Sequence, residues 1–312
     1  MTDPGELLIL AVGAAERAAA MLVAKRSAGR PDVAATKSSP TDVVTEADRT
    51  AEAMITEYLL SARPTDTILG EEGGLQSRPA SPEAPTSSPG ATTSTSPSTT
   101  SPTVPTSPTV PSSPASPTAP SNVRWIVDPL DGTVNYLYGL PDFAVSIAAE
   151  VDGQIVAGVV HAPERGEVYT AVTGGGAWRH VAGQPPVRLH CNTGVPLARA
   201  LVATGFGYLA GRRRVQGEVV AALLPVVRDI RRAGSAAVDM CAVAGGRVDA
   251  YYERGVNYWD IAAGGLIARE AGAITGGLAG KPAGSDLTIA AAPDLFGELH
   301  DALAKLNPER DA

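Results

Sequence analysis

Apolar and polar residues recur along the chain with two different periods, which predict a mixture of helices and strands. From residue 5 to 27, apolar residues such as Leu7 and Ala14 fall at helical spacing, so we expect an amphipathic helix at the start. The run Trp125-Ile126-Val127 is apolar, rich in β-branched residues, and followed by Asp128-Pro129. It predicts a buried strand that ends at Asp128, because a residue before proline favours extended backbone.

The same two periods continue to the C-terminal end of the chain. Between residues 143 and 169, alternating residues around Asp152-Gly153 predict strands joined by a hairpin turn. The further predicted elements are a strand at 201–205, a helix at 216–227, a strand at 248–253, a helix at 259–272, a strand at 287–292 and a helix at 294–306. Strands interleaved with helices predict an α/β fold of alternating helix and sheet layers.

Residues 76 to 121 follow neither period. From Thr86 to Ser121 there is no charged residue, and Ser, Thr, Pro and Ala dominate. Because such a segment cannot bury enough apolar surface to offset its ordering entropy, we predict that 76–121 is a disordered insertion in a single domain, 1–312. Between Pro102 and Pro120 a proline falls at every third position, which favours an extended polyproline II strand.

Composition narrows the class of protein. The 312 residues carry a formal net charge of −8, which argues against direct nucleic-acid binding because a clustered basic face is expected there. The two cysteines, Cys191 and Cys241, lack metal-ligand spacing, and isolated thiols indicate a reducing compartment. No secretory pattern opens the chain and no apolar run reaches membrane-spanning length, so we expect a cytoplasmic protein that binds no membrane.

Candidate chemistry is concentrated where the predicted central strand ends. Asp128 and Asp131 lie three residues apart across a tight turn, a spacing that lets two carboxylates share a hard cation such as Mg²⁺. Gly132-Thr133 follows at a predicted helix start, where free N–H groups favour an anion. Asp-Pro and Asp-Gly are also ordinary turn signals, so taken alone this stretch favours a structural turn.

The string Asp128-Pro-Leu-Asp-Gly-Thr-Val-Asn135-Tyr136 resembles the D-P-[IL]-D-G-T-x-N-[FY] signature of the inositol monophosphatase family. Four further segments resemble family blocks in the expected order: Lys37 to Asp48, Ile68 to Gly74, Arg231 to Ala237, and Trp259 to Ala263. The resemblance extends over nearly the whole chain except 76–121 and is closest to actinobacterial inositol-1-monophosphatases. It implies an αβαβα sandwich and a homodimer.

Several of these residues also have simpler explanations. Thr45 and Asp48 fit a helix capping box, Glu71 lies among surface-type acids, and Ser235 and Asp260 fit helix caps. The resemblance implies functional roles instead. The metal ligands it implies are Glu71, Asp128, Leu130, Asp131 and Asp260. The catalytic residues it implies are Glu71, Asp48 and Thr133. The substrate-binding residues it implies are Glu71, Leu130, Asp131, Gly132, Thr133, Arg231, Ala236, Glu253 and Asp260.

The resemblance further implies a Mg²⁺-dependent phosphatase that hydrolyses myo-inositol 1-phosphate through a water activated by the metal. No residue constellation suits a phosphoenzyme, which agrees with direct attack by water. Two alternatives remain open at this stage. One is a fructose-1,6-bisphosphatase or another small sugar or nucleotide phosphatase of the same superfamily. The other is a binding protein of a transcription complex, because some bacterial relatives have that role.

Overall fold

The computed structural model describes residues 3–29, 33–36, 43–77 and 122–310. Helices in this part of the chain occur where apolar residues follow a helical period. They are α1 (Pro4–Ser27), α2 (Glu46–Ala62), α3 (Thr133–Tyr138), α4 (Ala210–Leu223), α5 (Ala236–Ala244), α6 (Tyr258–Glu270) and α7 (Pro293–Leu306).

Strands fill the intervals between the helices. They are β1 (Val33–Thr36), β2 (Val43–Thr45), β3 (Thr67–Gly70), β4 (Gly74–Ser77), β5 (Val123–Asp131), β6 (Ala144–Val151), β7 (Gln154–Ala162), β8 (Glu167–Val172), β9 (Gly176–Val181), β10 (Val187–Arg188), β11 (Leu201–Thr204), β12 (Asp229–Arg231), β13 (Ala250–Glu253), β14 (Ile274–Gly276) and β15 (Thr288–Ala291). They form an eight-stranded sheet in the order β10-β9-β8-β7-β6-β5-β3-β4, a five-stranded sheet in the order β12-β11-β13-β15-β14, and the pair β1-β2.

The helices and the two larger sheets stack in five layers, which confirms the predicted αβαβα arrangement. Helices α1 and α2 cover one face of the eight-stranded sheet, and α5 and α6 cover the other. The opposite side of α5 packs on the five-stranded sheet, whose outer face is covered by α4 and α7. Each pair of neighbouring layers encloses its own apolar cluster, so burial against two partners fixes α5 and α6 in place.

Helix α1 corrects one expectation from the sequence. Among the described residues it is the one helix that, by length and composition alone, could cross a membrane, although no apolar run of that length was expected. The alanine-rich sequence of α1 is long enough to span a membrane and contains few charged residues. However, Leu7, Ala11 and Leu22 are fully buried against α2 and the eight-stranded sheet. This is the packing of a core helix, which meets the same criteria as a membrane span.

Three predicted boundaries were also wrong. Strand β5 continues beyond Asp128 to Asp131, through a register shift against β6 between these two residues. Helix α4 begins at Ala210 and ends at Leu223, because Pro225 cannot lie inside a helix. Gln76 and Ser77 belong to β4, whereas the rest of the predicted insertion, 78–121, lies outside the described residues.

Candidate active site

Glu71 and Asp128 are brought together by neighbouring parallel strands. Strand β3 pairs with β5 so that Gly70 lies opposite Val127, and the Glu71 N–H donates to the Val127 carbonyl at 3.2 Å. Glu71 and Asp128, which follow these two residues, therefore lie next to each other. The two carboxyl groups lie close enough for the charge of Glu71 to raise the pKa of Asp128.

Thr133 lies at the start of α3 and links Asp48 to the Asp128–Asp131 bulge. Its hydroxyl donates to Asp48 Oδ1 at 3.0 Å and lies 3.1 Å from the Leu130 carbonyl oxygen. Gly132 precedes it with φ +91°, and a Cβ there would lie 2.8 Å from the Asp142 carbonyl oxygen. Only glycine fits this position without strain, because it has no side chain and accepts positive φ.

Asp48 makes both of the contacts that the sequence left as alternatives. Its Oδ2 accepts from the Thr45 N–H at 2.8 Å and from the Thr45 hydroxyl at 2.5 Å, which completes a capping box at α2. Its Oδ1 accepts from Thr133 instead. The cap therefore orients the carboxylate while leaving one oxygen for the threonine hydroxyl.

Asp131 is bound to the beginning of α5. Its Oδ2 accepts from the Ser235 hydroxyl at 2.6 Å and from the Ala237 N–H at 2.7 Å. Ser235 is also the N-cap of α5, since its hydroxyl accepts from the Val238 N–H at 3.2 Å. One oxygen of the Asp131 carboxylate is therefore held at the beginning of α5.

Asp260 and Glu253 reach the same region from the second half of the chain. Asp260 lies in the first turn of α6, where its Oδ2 accepts from the Asn257 N–H at 2.7 Å. It thus belongs to the predicted helix cap and also lines the cavity described below. Glu253 ends β13 and accepts from the Tyr251 hydroxyl at 2.9 Å.

These groups line one cavity of about 470 Å³ between the two larger sheets. The predicted site residues on its wall are Glu71, Asp128, Leu130, Asp131, Gly132, Thr133, Ala236, Glu253 and Asp260. Arg231 is not on the wall: it lies in β12 and forms an ion pair with Asp229 at 2.5 Å. The neighbouring Arg232 lines the cavity instead, together with Arg212, and sequence reasoning missed both. The adjacent arginines at 231 and 232 were the sequence feature that could have suggested a second candidate besides Arg231.

Burial and mutual repulsion raise the pKa values of the acids in this cavity. For Asp128, burial contributes most, followed by the charges of Glu71, Asp131 and Asp260, and its pKa lies well above the usual value. Burial likewise raises the pKa of Asp131 to about 6, although hydrogen bonds from Ser235 and Ala237 oppose the rise. Burial followed by nearby carboxylates raises the pKa of Asp260 well above its usual value. Burial raises the pKa of Glu253 to about 7, against the opposing effects of Tyr251 and Arg232.

The donor set fits a hard divalent cation. Within the described residues, no group of three or more acidic, histidine or cysteine side chains is already drawn around one point. Yet Glu71, Asp128, Asp131 and Asp260 face one cavity with oxygen donors only, which suits Mg²⁺, Mn²⁺ or Ca²⁺ rather than a soft metal. Because the carboxyls repel one another and have raised pKa values, a cation would relieve the repulsion and draw them together.

Fold and site together define a class of layered α/β proteins with an acidic cavity that suits a divalent cation. A sequence profile of the inositol monophosphatase family matches residues 3–310, and the chain belongs to this family. Members are phosphatases and generally depend on a metal. The family assignment made from the sequence is thereby confirmed.

Named relatives and solved structures agree with this assignment. An inositol-1-monophosphatase of Mycobacterium leprae is 42% identical, covering 98% of this chain and 96% of the relative. A Nus factor SuhB of Pasteurella multocida is 36% identical, covering 97% of this chain and 96% of the relative. The structure of Mycobacterium tuberculosis SuhB superposes with a TM-score of 0.73 at 36% identity, covering 99% of this chain and all of that one.

Proposed function

We propose that the chain hydrolyses myo-inositol 1-phosphate to myo-inositol and phosphate with Mg²⁺ as cofactor. The observation that carries the proposal is the convergence of Glu71, Asp128, Asp131 and Asp260 on one cavity. The name inositol-1-monophosphatase of the Mycobacterium leprae relative supports the choice of substrate. When bound, Mg²⁺ would neutralise the phosphate and lower the pKa of a coordinated water.

In this mechanism Glu71, Asp128, Asp131, Asp260 and the Leu130 carbonyl would hold Mg²⁺. The chain's other residues orient the reactants. The Thr133 hydroxyl donates a hydrogen bond to Asp48, so its oxygen lone pairs can accept a hydrogen bond from the attacking water. Asp48 keeps this orientation because its second oxygen is fixed by the cap of α2.

The opposite wall of the cavity suits a small polyol. Glu253 accepts hydrogen bonds from sugar hydroxyls when it is ionised, and its raised pKa makes that state dependent on pH near neutrality. Ala236 lies on the wall at the first residue of α5 and is small enough to admit a ring close to the backbone. We assign the phosphate to the side of the cavity formed by Gly132 and Thr133.

Phosphate release from a panel of small substrates tests the proposal. Protein treated with EDTA should be inactive, and Mg²⁺ should restore hydrolysis of inositol 1-phosphate. Li⁺ at tens of millimolar should inhibit, as the resemblance implies. Equal activity with and without metal would contradict the proposal, and a strong preference for fructose 1,6-bisphosphate would favour the bisphosphatase alternative.

A second function is favoured by one specific observation. Relatives from Pasteurella multocida and Escherichia coli, at 36% and 34% identity, carry the name Nus factor SuhB. A role as a binding protein in a transcription complex therefore stands as the alternative for this chain. A variant without phosphatase activity that still binds the transcription machinery would support it.

We also propose a cytoplasmic homodimer that binds neither a membrane nor nucleic acid directly. The free, buried thiols of Cys191 and Cys241 suit a reducing compartment. The acidic net charge of −8 disfavours nucleic acid. Sedimentation of the purified protein tests the dimer, and fractionation of cells that express it tests the compartment.

A further inference from the structure

Glu52 is a buried acid outside the cavity wall that holds the loop carrying Glu71. It lies on α2 and is only 4% exposed. One of its carboxylate oxygens accepts from the Glu72 N–H at 2.8 Å. The other accepts from the Gly73 N–H at 2.7 Å and from the Gln76 side-chain amide at 2.8 Å. The turn between β3 and β4 is thus tied to α2 immediately after Glu71.

Two glycines make room for this carboxylate. A Cβ on Gly70 would lie 2.5 Å from the Glu52 carboxyl carbon, and a Cβ on Gly73 would lie 2.6 Å from one of its oxygens. Neither glycine has the positive φ that favours glycine, whereas Gly74 has φ +63°. The close approach of Glu52 at Gly70, and of Gln76 and Glu52 at Gly73, rather than backbone conformation, therefore accounts for these glycines.

Glu52 acts from the same helix face as Asp48. The two residues are four positions apart on α2, so their side chains project from one side of the helix. Asp48 holds the Thr133 hydroxyl, and Glu52 holds the backbone directly after Glu71. One rigid helix thus determines how Thr133 and Glu71 lie relative to each other.

We propose that Glu52 is a positioning residue that fixes Glu71 beside Asp128 so that both can bind one metal ion. Without it, the Glu72 and Gly73 N–H groups lose their acceptor, and the turn rearranges toward water to regain one. Glu71 then lies apart from Asp128 until a metal ion draws it back. The inference rests on the proposed metal-dependent function, but its test does not use turnover alone.

The decisive measurement is Mn²⁺ binding to the full chain without substrate, followed by electron paramagnetic resonance. Glu52→Gln replaces one carboxylate oxygen with an amide NH₂, which cannot accept a hydrogen bond from a backbone N–H group of the turn. The turn is then no longer held. We expect the Mn²⁺ dissociation constant to rise about tenfold, the lower end for groups that support metal ligands. At saturating metal, kcat should stay within a few-fold of wild type. Glu57→Gln, which removes an exposed acid from the same helix, should change neither value.

A double-mutant cycle separates positioning from a general loss of stability. The methyl group introduced by Gly70→Ala clashes with the Glu52 carboxylate, so this substitution should weaken Mn²⁺ binding in the wild-type background. In a Glu52→Ala background the methyl group has space, and the same substitution should cause no further loss. Such non-additivity is expected only if Gly70 acts through Glu52.

The outcomes distinguish this inference from the proposed function. Unchanged Mn²⁺ affinity in Glu52→Gln and Gly70→Ala, with only a lower melting temperature, would overturn the positioning role. Wild-type protein that binds no Mn²⁺ would overturn it as well. Wild-type protein that binds Mn²⁺ with weakened binding in the variants, yet releases no phosphate from any substrate, would refute the proposed function and support the positioning role.

Discussion

At the scale of single residues, the site is built from acids that are unfavourable without a cation. Asp128 is 2% exposed and is repelled by the charge of Glu71, while Asp131 and Asp260 add charge to the same cavity. Hydrogen bonds from Ser235 and Ala237 offset part of this cost at Asp131. The remaining repulsion favours binding of a divalent ion, so stability and metal affinity are linked at these residues.

Asp131→Asn should abolish nearly all activity with little change in fold, because it removes one charge from the metal site while preserving shape. The pKa of Asp131 is raised to about 6 in the folded, metal-free protein. Ionisation of Asp131 therefore lowers stability as pH rises from the usual carboxyl range through 6. In EDTA at pH 7.5, the variant should melt at or above the wild-type temperature, and the difference should shrink near pH 4. Full activity of the variant at saturating Mg²⁺ would show that Asp131 only forms a turn.

The adjacent arginines give a second test with a built-in control. Arg232 lines the cavity and lowers the pKa values of Asp131 and Glu253, so its charge reaches the substrate region. Arg232→Ala should raise KM for inositol 1-phosphate about tenfold, as expected for ~1.4 kcal/mol from a lost charged contact. Arg231→Ala, which removes only an exposed pair with Asp229, should leave KM within twofold. The reverse pattern would restore the role first expected for Arg231.

At the scale of secondary-structure elements, local sequence signals predicted the long helices better than the ends of the shorter elements. Helices α1, α6 and α7 lie close to their expected bounds, because apolar residues repeat over several turns. The end of β5 was missed because Pro129 marks a bulge within the strand instead of its end. The N-terminal part of α4 was missed because it opens with the three polar residues at 212–214.

The family resemblance identified acids that the structure places on one cavity wall, whereas residues whose contacts depend on packing were missed. The acids of the 128–131 stretch follow from their own spacing. The part played by Glu52 does not, because its partners Glu72 and Gly73 are about twenty positions away. Likewise, nothing in the string Arg231-Arg232 says which guanidinium faces the cavity, since that depends on how β12 joins the five-stranded sheet.

Ion pairs between Glu167 and two arginines make the free energy of unfolding depend on pH in the acid range. Burial opposes ionisation of Glu167 on β8, but Arg247, Tyr169 and Arg179 outweigh it and lower its pKa to about 2. This stabilisation is complete above the unfolded-state value of 4.5 and is lost as pH falls toward 2. Glu167→Gln should therefore lower the free energy of unfolding by ~2 kcal/mol at pH 7. Urea titrations at pH 7 and pH 3 test this, because the loss should be smaller at pH 3. An equal loss at both would assign the effect to packing.

At the scale of the whole molecule, the site lies where the layers meet. The eight-stranded sheet provides Glu71 and Asp128, α5 binds Asp131, α6 carries Asp260, and the five-stranded sheet ends in Glu253. Residues far apart in sequence thus converge because both sheets pack against the same two helices. A disturbance that shifts α5 or α6 relative to either sheet would therefore reach the acidic cavity.

The segment 78–121 is the largest feature of the chain that the family does not explain. It connects β4, which is tied to Glu52 through Gln76, with β5, which carries Asp128. Two hypotheses stand: a passive surface insertion, or a docking segment that presents its P-x-x-P repeats to a partner. Extending a loop from ~10 to ~46 residues costs only ~1.4 kcal/mol of closure entropy, so a passive insertion is tolerated.

Replacing residues 80–120 with a short Gly-Ser loop distinguishes these hypotheses. A passive insertion predicts turnover and Mg²⁺ affinity within a few-fold of wild type and a free energy of unfolding higher by ~1 kcal/mol. The physical reason is that β4 and Glu52 hold the Glu71 turn through bonds to residues outside the replaced segment. A large loss of turnover would instead mean that the segment orders the metal site. Intact turnover with loss of a partner that the full chain retains would establish docking. We expect the passive outcome, because Glu52 already fixes the turn through Glu72, Gly73 and Gln76, which all precede the replaced segment.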